Sequence, residues 1–229
     1  QTCALPILTS NYVRIWEEIP LLRYFFNTSK LTVLITILQL LTSTFAAYAF
    51  AKMKFPGKDF LFLSYICTIA MPWQSYMIPQ FIIIKKMGLV NTHLALIILQ
   101  SFTAFGVFLV RQFYMEIPNE ICEAARIDGM SEYGIYAKIM LPLSKPVIAT
   151  LTIFSFTTIW NDFMGPLIYI NSQNLKTIQL GLRSFITEYS SEYSLIMAGS
   201  VVALIPVLIV FACLQKYFVE GIASTGLKG

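Results

Sequence analysis

Residues 118–146 hold the chain's densest set of groups suited to gripping another protein. Pro118-Asn119-Glu120 opens a helix in which Asn119 is expected to cap orphan backbone donors, with Glu120 and Glu123 near the positive end of the helix dipole. Glu123 and Arg126, three apart, are expected to pair across a turn, worth a few tenths of a kcal/mol. Ala124 and Ala125 are small enough to let a partner's backbone come close, and Asp128 precedes Gly129, whose type suits the left-handed position that stops a helix. Ser131 then starts a second helix, which Pro142 ends, and Pro146 suits the first turn of the next apolar helix. Tyr133, Tyr136, Ala137 and Met140 make a stripe expected to pack back onto the rest of the chain. Together these predict a helix–Gly–helix bracket at 114–146. From these residues alone the bracket is either a rigid knob that a partner can push or a re-entrant or surface helical hairpin that closes the membrane edge.

A second group is Trp160-Asn161-Asp162. Asp162 is the lone acid within its apolar stretch. Counted from Pro146 at about 1.5 Å per residue, it lies about 24 Å along a helix. That is near the far side, from Pro146, of a hydrocarbon core about 30 Å thick. An ionisable group at such a depth marks function by default. With Trp160 and Asn161 it would line a path for a hydroxyl-rich solute; the competing reading is a structural contact beside a Gly165-Pro166 break.

Both groups need elements to hold them, and composition says which kind. Hydrophobic residues make up 57% of the chain and charged residues 12%, against roughly 25% charged in soluble proteins. The apolar residues come as uncharged blocks at 31–51, 60–84, 94–110, 146–161 and 193–215. A spanning helix needs about 20 such residues, and the blocks lack the alternation of a barrel. The predicted fold is all-α: a polytopic membrane helical bundle of five transmembrane helices.

Smaller features fill in the rest. Residues 11–26 read as a short interfacial helix pair broken by Pro20, and Asn27-Thr28-Ser29 as a helix N-cap rather than a glycosylation site. Pro72 and Pro79 should kink the second span. Gly88 to Thr92 forms a tight turn in which Asn91 caps the third span. Four cysteines without metal spacing and a single histidine, His93, predict no metal site and no cofactor. A net charge of +4 without a basic run excludes nucleic acid as a partner. Residues 1–7, QTCALPI, match a translated sequencing adapter and are set aside as a non-native leader.

The loop resembles the EAA loop of binding-protein-dependent ABC importers, EAA-x3-G-x9-I-x-LP, at Glu123, Ala124, Ala125, Gly129, Ile139, Leu141 and Pro142. The resemblance runs over residues 8–229 and is nearest the carbohydrate branch, the second permease subunit of maltose-type systems. It is carried by Ala46-Ala47-Tyr48-Ala49, Phe55-Pro56-Gly57-Lys58, Gly88-Leu89-x-Asn91-Thr92, Trp160-Asn161-Asp162-Phe163 and Gly181-Leu182-Arg183-Ser184-Phe185.

The resemblance implies an importer permease for sugars in the cell inner membrane, multi-pass, with a cytoplasmic C-terminus. Its partners would be a second permease forming a heterodimer, an ATP-binding cassette ATPase dimer gripping the loop, an extracytoplasmic sugar-binding protein and the lipid bilayer. With five spans and a cytoplasmic loop, a sixth, N-terminal helix is expected upstream. The chain has no GxxxxGK[ST] phosphate loop, so ATP hydrolysis would belong to a partner and this subunit would not be an enzyme. A permease for glycerol phosphate or another polyol is the alternative. A secondary transporter would need coupling charges or paired broken helices, and only Asp162 is available.

Overall fold

The computed structural model describes residues 10–186 and 192–226, with side chains described to residue 216; the leader at 1–7 lies outside the described residues. The described residues are almost all helical and contain no β-strand. In chain order the helices are α1 (Ser10–Glu18), α2 (Leu21–Lys52), α3 (Lys58–Cys67), α4 (Met77–Lys86), α5 (His93–Gln100), α6 (Ala104–Glu116) and α7 (Asn119–Ile127). They continue with α8 (Glu132–Ile135), α9 (Leu141–Leu143), α10 (Lys145–Trp160), α11 (Met164–Tyr169), α12 (Ile178–Leu182) and α13 (Tyr193–Gly226).

Among the described residues, three stretches are long and apolar enough to cross a membrane: Leu21–Lys52, His93–Glu116 and Tyr193–Lys216. A bent pair, Glu132–Leu143 with Lys145–Trp160, passes the same test together but turns by 78°. Large aliphatic and aromatic side chains point outward along them, among them Ile37, Leu41 and Phe45 on α2 and Leu204, Leu208 and Phe211 on α13. In water such faces would be unstable; lipid or neighbouring helices accept them.

The 60–84 block is not one helix. It breaks after α3 into short 3₁₀ turns, Thr68–Ala70 and Trp73–Ser75, before α4. Pro72 causes the break by holding Met71 extended, at φ −84° and ψ 114°. Pro79 does not kink anything, because it lies in the first turn of α4, where its missing N–H is not needed. Nor is 11–26 a pair of short helices: α1 ends before Pro20, but the second helix is the start of α2 and continues through Asn27-Thr28-Ser29. Asn27 is therefore no N-cap.

The chain separates into two compact units, each with its own core. One draws on the described residues of Gln1–Leu34, Gln80–Ile98 and Phe156–Ala212. Its core packs Ile15, Tyr24, Trp160, Ile178, Leu182 and Leu195. Trp160 is 1% exposed, stacks on Phe156 with ring centroids 5.6 Å apart and donates its indole N–H to the Ala203 carbonyl at 2.8 Å. Polar side chains tie the segment 171–178 into this unit. Asn27 Nδ2 donates to the carbonyls of Asn174 and Lys176 at 2.9 and 3.0 Å, and Thr28 Oγ1 accepts from the Ile178 N–H at 2.9 Å. His93 Nε2 donates to the Leu175 carbonyl at 2.8 Å. Asn91, at φ +63°, accepts from the N–H groups of Asn171 and Ser172. It is thus a bridge and not the cap of α5, a role Thr92 takes by accepting from Ala95 N–H.

The other unit draws on the described residues of Ile35–Pro79, Leu99–Ser155 and Cys213–Gly229. Ala47, Tyr48, Val110, Tyr114, Cys122 and Met140 are among its core residues. Gly106 lets α6 approach its neighbours: a Cβ there would lie 2.5 Å from Ser43 Oγ and 2.7 Å from Thr103 Cγ2.

Gly181 in α12 faces the buried ring of Tyr24, and an added Cβ would overlap two ring atoms. Gly181→Ala should therefore destabilise the first unit by about 1–3 kcal/mol, read as a lower melting temperature of the detergent-solubilised protein. An unchanged melt would mean the ring can step aside.

Candidate functional site

The bracket is built as two helical arms around Gly129. The first arm, α7, begins after Pro118, and Asn119 makes no capping bond. Its side chain instead accepts from Lys52 Nζ at 2.8 Å, because Lys52 lies at the end of α2 and reaches across. The arm ends in a Schellman turn, with Met130 N–H donating to the Ala125 carbonyl and Gly129 N–H to the Arg126 carbonyl. Gly129 has φ +80°, as its type predicted. Ser131 caps the second arm, its Oγ accepting from Gly134 N–H at 3.2 Å.

The second arm is not a simple helix ended by Pro142. After α8 the backbone widens into a π-helical turn over Tyr136–Met140, closed by Leu141 N–H donating to the Tyr136 carbonyl. Pro142 sits inside α9, and the arm stops at Ser144, whose side chain turns back to the Leu141 carbonyl at 2.9 Å. Pro146 occupies the first turn of α10.

The apolar inner faces of both arms join the core of their unit. Cys122, Ala125, Ile135 and Met140 are buried, with Cys122 Sγ 3.7 Å from Met140 Sδ. Burial pushes the Cys122 thiol pKa up, so it behaves as a packed apolar group. Of the expected stripe, Met140 is buried and Tyr136 meets Phe45 edge-on, whereas Tyr133 is 73% exposed with its ring stacked on Phe45. Ala137 faces outward, because the π turn shifts the register.

The outer rim holds Glu123, Ala124, Ile127, Asp128 and Gly129, all exposed, with Ile127 at 87%. Ala125 is 6% exposed and packs inward, so Ala124 alone of the two leaves open backbone. Pro142 is exposed, while Ile139 and Leu141 are half-buried.

The expected Glu123–Arg126 pair is replaced by a pair across the arms. Arg126 Nε donates to Glu132 Oε1 at 2.6 Å and its Nη2 to Oε2 at 3.3 Å. A two-point contact with a carboxylate beats a single i,i+3 contact. The hydrogen bond to Glu132 also raises the Arg126 pKa, keeping the guanidinium charged. Tyr48 Oη also donates to Glu132 Oε2, a contact with no local signal in the sequence because the two residues are 84 positions apart. The clue available was the Ala46-Ala47-Tyr48-Ala49 segment, whose small residues let the helix end approach the loop.

Elsewhere, Asn161 is exposed, holding the Thr157 carbonyl and accepting from Gln179 at 3.2 Å. Asp162 is half-buried and accepts from Gly165 N–H at 3.1 Å. The helix break thus falls at 161–163, and Gly165 and Pro166 lie inside α11. A cleft of about 450 Å³ near them is lined by Phe163, Gln179, Arg183 and Ser200 among others, with the Arg183 guanidinium 5.6 Å from the Phe163 ring centroid.

Nothing lies within 4 Å of a Cβ built on Gly129, so conformation and not space restricts the position. Gly129→Val should cost about 1–2 kcal/mol in loop stability, and Gly129→Asn clearly less, since Asn tolerates φ > 0. Proteolytic nicking of the loop would rank them; equal nicking would remove the backbone constraint.

A family model described as the inner membrane component of binding-protein-dependent transport systems matches residues 39–224. The arabinooligosaccharide transport permease AraQ of Halalkalibacterium halodurans is 37% identical over 220 residues, 96% of this chain and 79% of that protein. The lactose transport permease LacG of Rhizobium radiobacter is 32% identical over 95% of this chain and 80% of its own. A chain in the crystal structure of a bacterial ABC transporter involved in import of the acidic polysaccharide alginate superimposes with a TM-score of 0.82 at 26% identity, covering 91% of this chain and 79% of that one. With its apolar helices and a match across most of its length, the chain belongs to the inner membrane components of binding-protein-dependent transport systems, the permease subunits of ABC importers.

Proposed function

We propose that this chain is the sugar-translocating permease of an ATP-driven importer and that the bracket at 114–146 is where its ATPase grips it. The observation that carries the reading is the exposed rim of Glu123, Ala124, Ile127, Asp128 and Gly129, set on arms whose inner faces are buried at Cys122, Ala125, Ile135 and Met140. On that rim the small Ala124 and Gly129 leave backbone open beside the carboxylates of Glu123 and Asp128, and the Ile127 side chain offers a partner an apolar contact. Ile139, Leu141 and Pro142 shape the second arm behind that rim. The partners are an ATP-binding cassette ATPase dimer, a second permease and an extracytoplasmic sugar-binding protein. In this arrangement the bracket and the C-terminus face the cytoplasm. Sugar as cargo is supported by relatives named for arabinooligosaccharides, lactose, and melibiose, raffinose and stachyose.

Asn161 and Asp162 are the residues we place on the sugar path, beside the cleft that contains Gln179 and Arg183, with Trp160 buried behind them as support. An amide and a carboxylate next to an aromatic ring suit a hydroxyl-rich solute, since they offer both acceptors and donors.

The complex with its partners in proteoliposomes should hydrolyse ATP faster when loaded binding protein is added, and a panel of oligosaccharides would name the cargo. No stimulation by any sugar, from an intact complex, would overturn the reading. Glu123→Lys and Gly129→Asp should both release the ATPase on purification while leaving the membrane helices folded. Because Asn and Asp share a shape, a harmful Gly129→Asp beside a tolerated Gly129→Asn would assign the loss to charge at the interface. Asp162→Asn should reduce sugar-stimulated hydrolysis by about 10-fold, in line with loss of one buried polar contact to substrate; unchanged transport would take Asp162 off the path.

A further inference from the structure

Three polar residues on one face of α2, spaced four apart, each hold a different part of the bracket. Thr44 Oγ1 lies 2.8 Å from Tyr136 Oη in the π turn. Tyr48 Oη donates to Glu132 Oε2 at 2.5 Å, at the start of the second arm. Lys52 Nζ donates to the Ile117 carbonyl at 2.5 Å and to Asn119 Oδ1 at 2.8 Å, at the start of the first. Residues four apart stack along one helix face, so the three contacts form a single rail. Arg126 closes the loop, joining Glu132 to the Lys52 carbonyl, the latter at 3.4 Å.

Magnitudes separate the function of this rail from simple stabilisation. The Arg126 and Glu132 side chains are 35% and 37% exposed, where an ion pair contributes about 1 kcal/mol or less. The apolar faces of both arms are already buried in the core without it. What the rail adds is direction: contacts at three heights along α2 prevent the bracket from sliding or rolling on that helix. The part of α2 that carries these contacts, residues 35–52, contains no glycine and no proline to interrupt it.

We propose that Thr44, Tyr48 and Lys52, with Arg126 and Glu132, are positioning residues that make the bracket and the end of α2 move as one body, so that displacement of the rim by the ATPase becomes displacement of that end of α2. This rests on the bracket being the ATPase grip. Removing the rail should leave the ATPase bound and hydrolysing but lower the solute moved per ATP.

The test uses the assembled complex in proteoliposomes, with native cysteines replaced and the pair Tyr48→Cys and Glu132→Cys introduced. Without crosslinking, solute transported per ATP should fall roughly 2- to 30-fold while the ATPase still copurifies. A thiol crosslinker spanning the two side chains should restore the ratio, because a covalent bond replaces the rail. Arg126→Lys, which keeps one charged contact, should fall between. A crosslink that blocks transport would show that the bracket slides on α2 and overturn the proposal; so would an unchanged ratio without crosslinking. Loss of the ATPase that crosslinking does not repair would also overturn it. Failure of the grip itself reads separately, as retention of the ATPase by Gly129→Asp.

Discussion

An ammonium group taken out of water must be given acceptors, and at the end of α2 that requirement fixes the neighbouring loop. Lys52 is 8% exposed, and an unpaired cation at that depth costs several kcal/mol. Its two acceptors are the Ile117 carbonyl, left open where α6 ends, and the Asn119 amide oxygen, at the first residue of α7. One side chain thus settles both where a spanning stretch finishes and where the bracket must begin. The Tyr48 and Thr44 contacts extend the same alignment up the helix. Had Lys52 reached solvent, the turn at Ile117 and Pro118 would be held by backbone preference alone.

The same economy governs the unit around Trp160. Its apolar helices can rotate against lipid with little change in energy, since hydrocarbon is as apolar as leucine. Orientation therefore falls to a few polar groups that find fixed acceptors. Asn27, Thr28, Asn91 and His93 all converge on 171–178, satisfying backbone groups of a segment with little regular structure of its own. Trp160 does the same in the core by reaching the Ala203 carbonyl. Burial supplies cohesion, and these bonds supply register.

Local signals were legible in the sequence where one residue's own chemistry decides the outcome. Gly129 at positive φ, Ser131 as a cap and Pro146 in a first turn follow from side-chain type alone. Block composition likewise pointed to an all-helical membrane architecture. What stayed hidden were choices between competing partners far apart in sequence. Asn119 could cap its own helix or accept from Lys52, and Arg126 could pair with Glu123 or with Glu132; tertiary proximity chose the second in each case. Asn27 and Asn91 look like caps for the same reason, because their carbonyl and N–H partners lie on a segment no local pattern indicates. Pro72 and Pro79 look alike in sequence, yet only the one outside a helix start broke the chain.

The π turn at Tyr136–Met140 makes the bracket a structure counted in residues. It holds one more residue than an α-helical turn, and deleting that residue would swing everything before it by about 100° relative to Leu141. Tyr136 would leave Thr44, and Glu132 would leave Tyr48. Insertions would err by the same angle in the opposite sense. The nine residues between Gly129 and Ile139 are therefore a fixed length, while outward-facing members such as Ala137 and Lys138 take no part in holding that geometry through the core. In this loop evolution can respell the words but not change the metre.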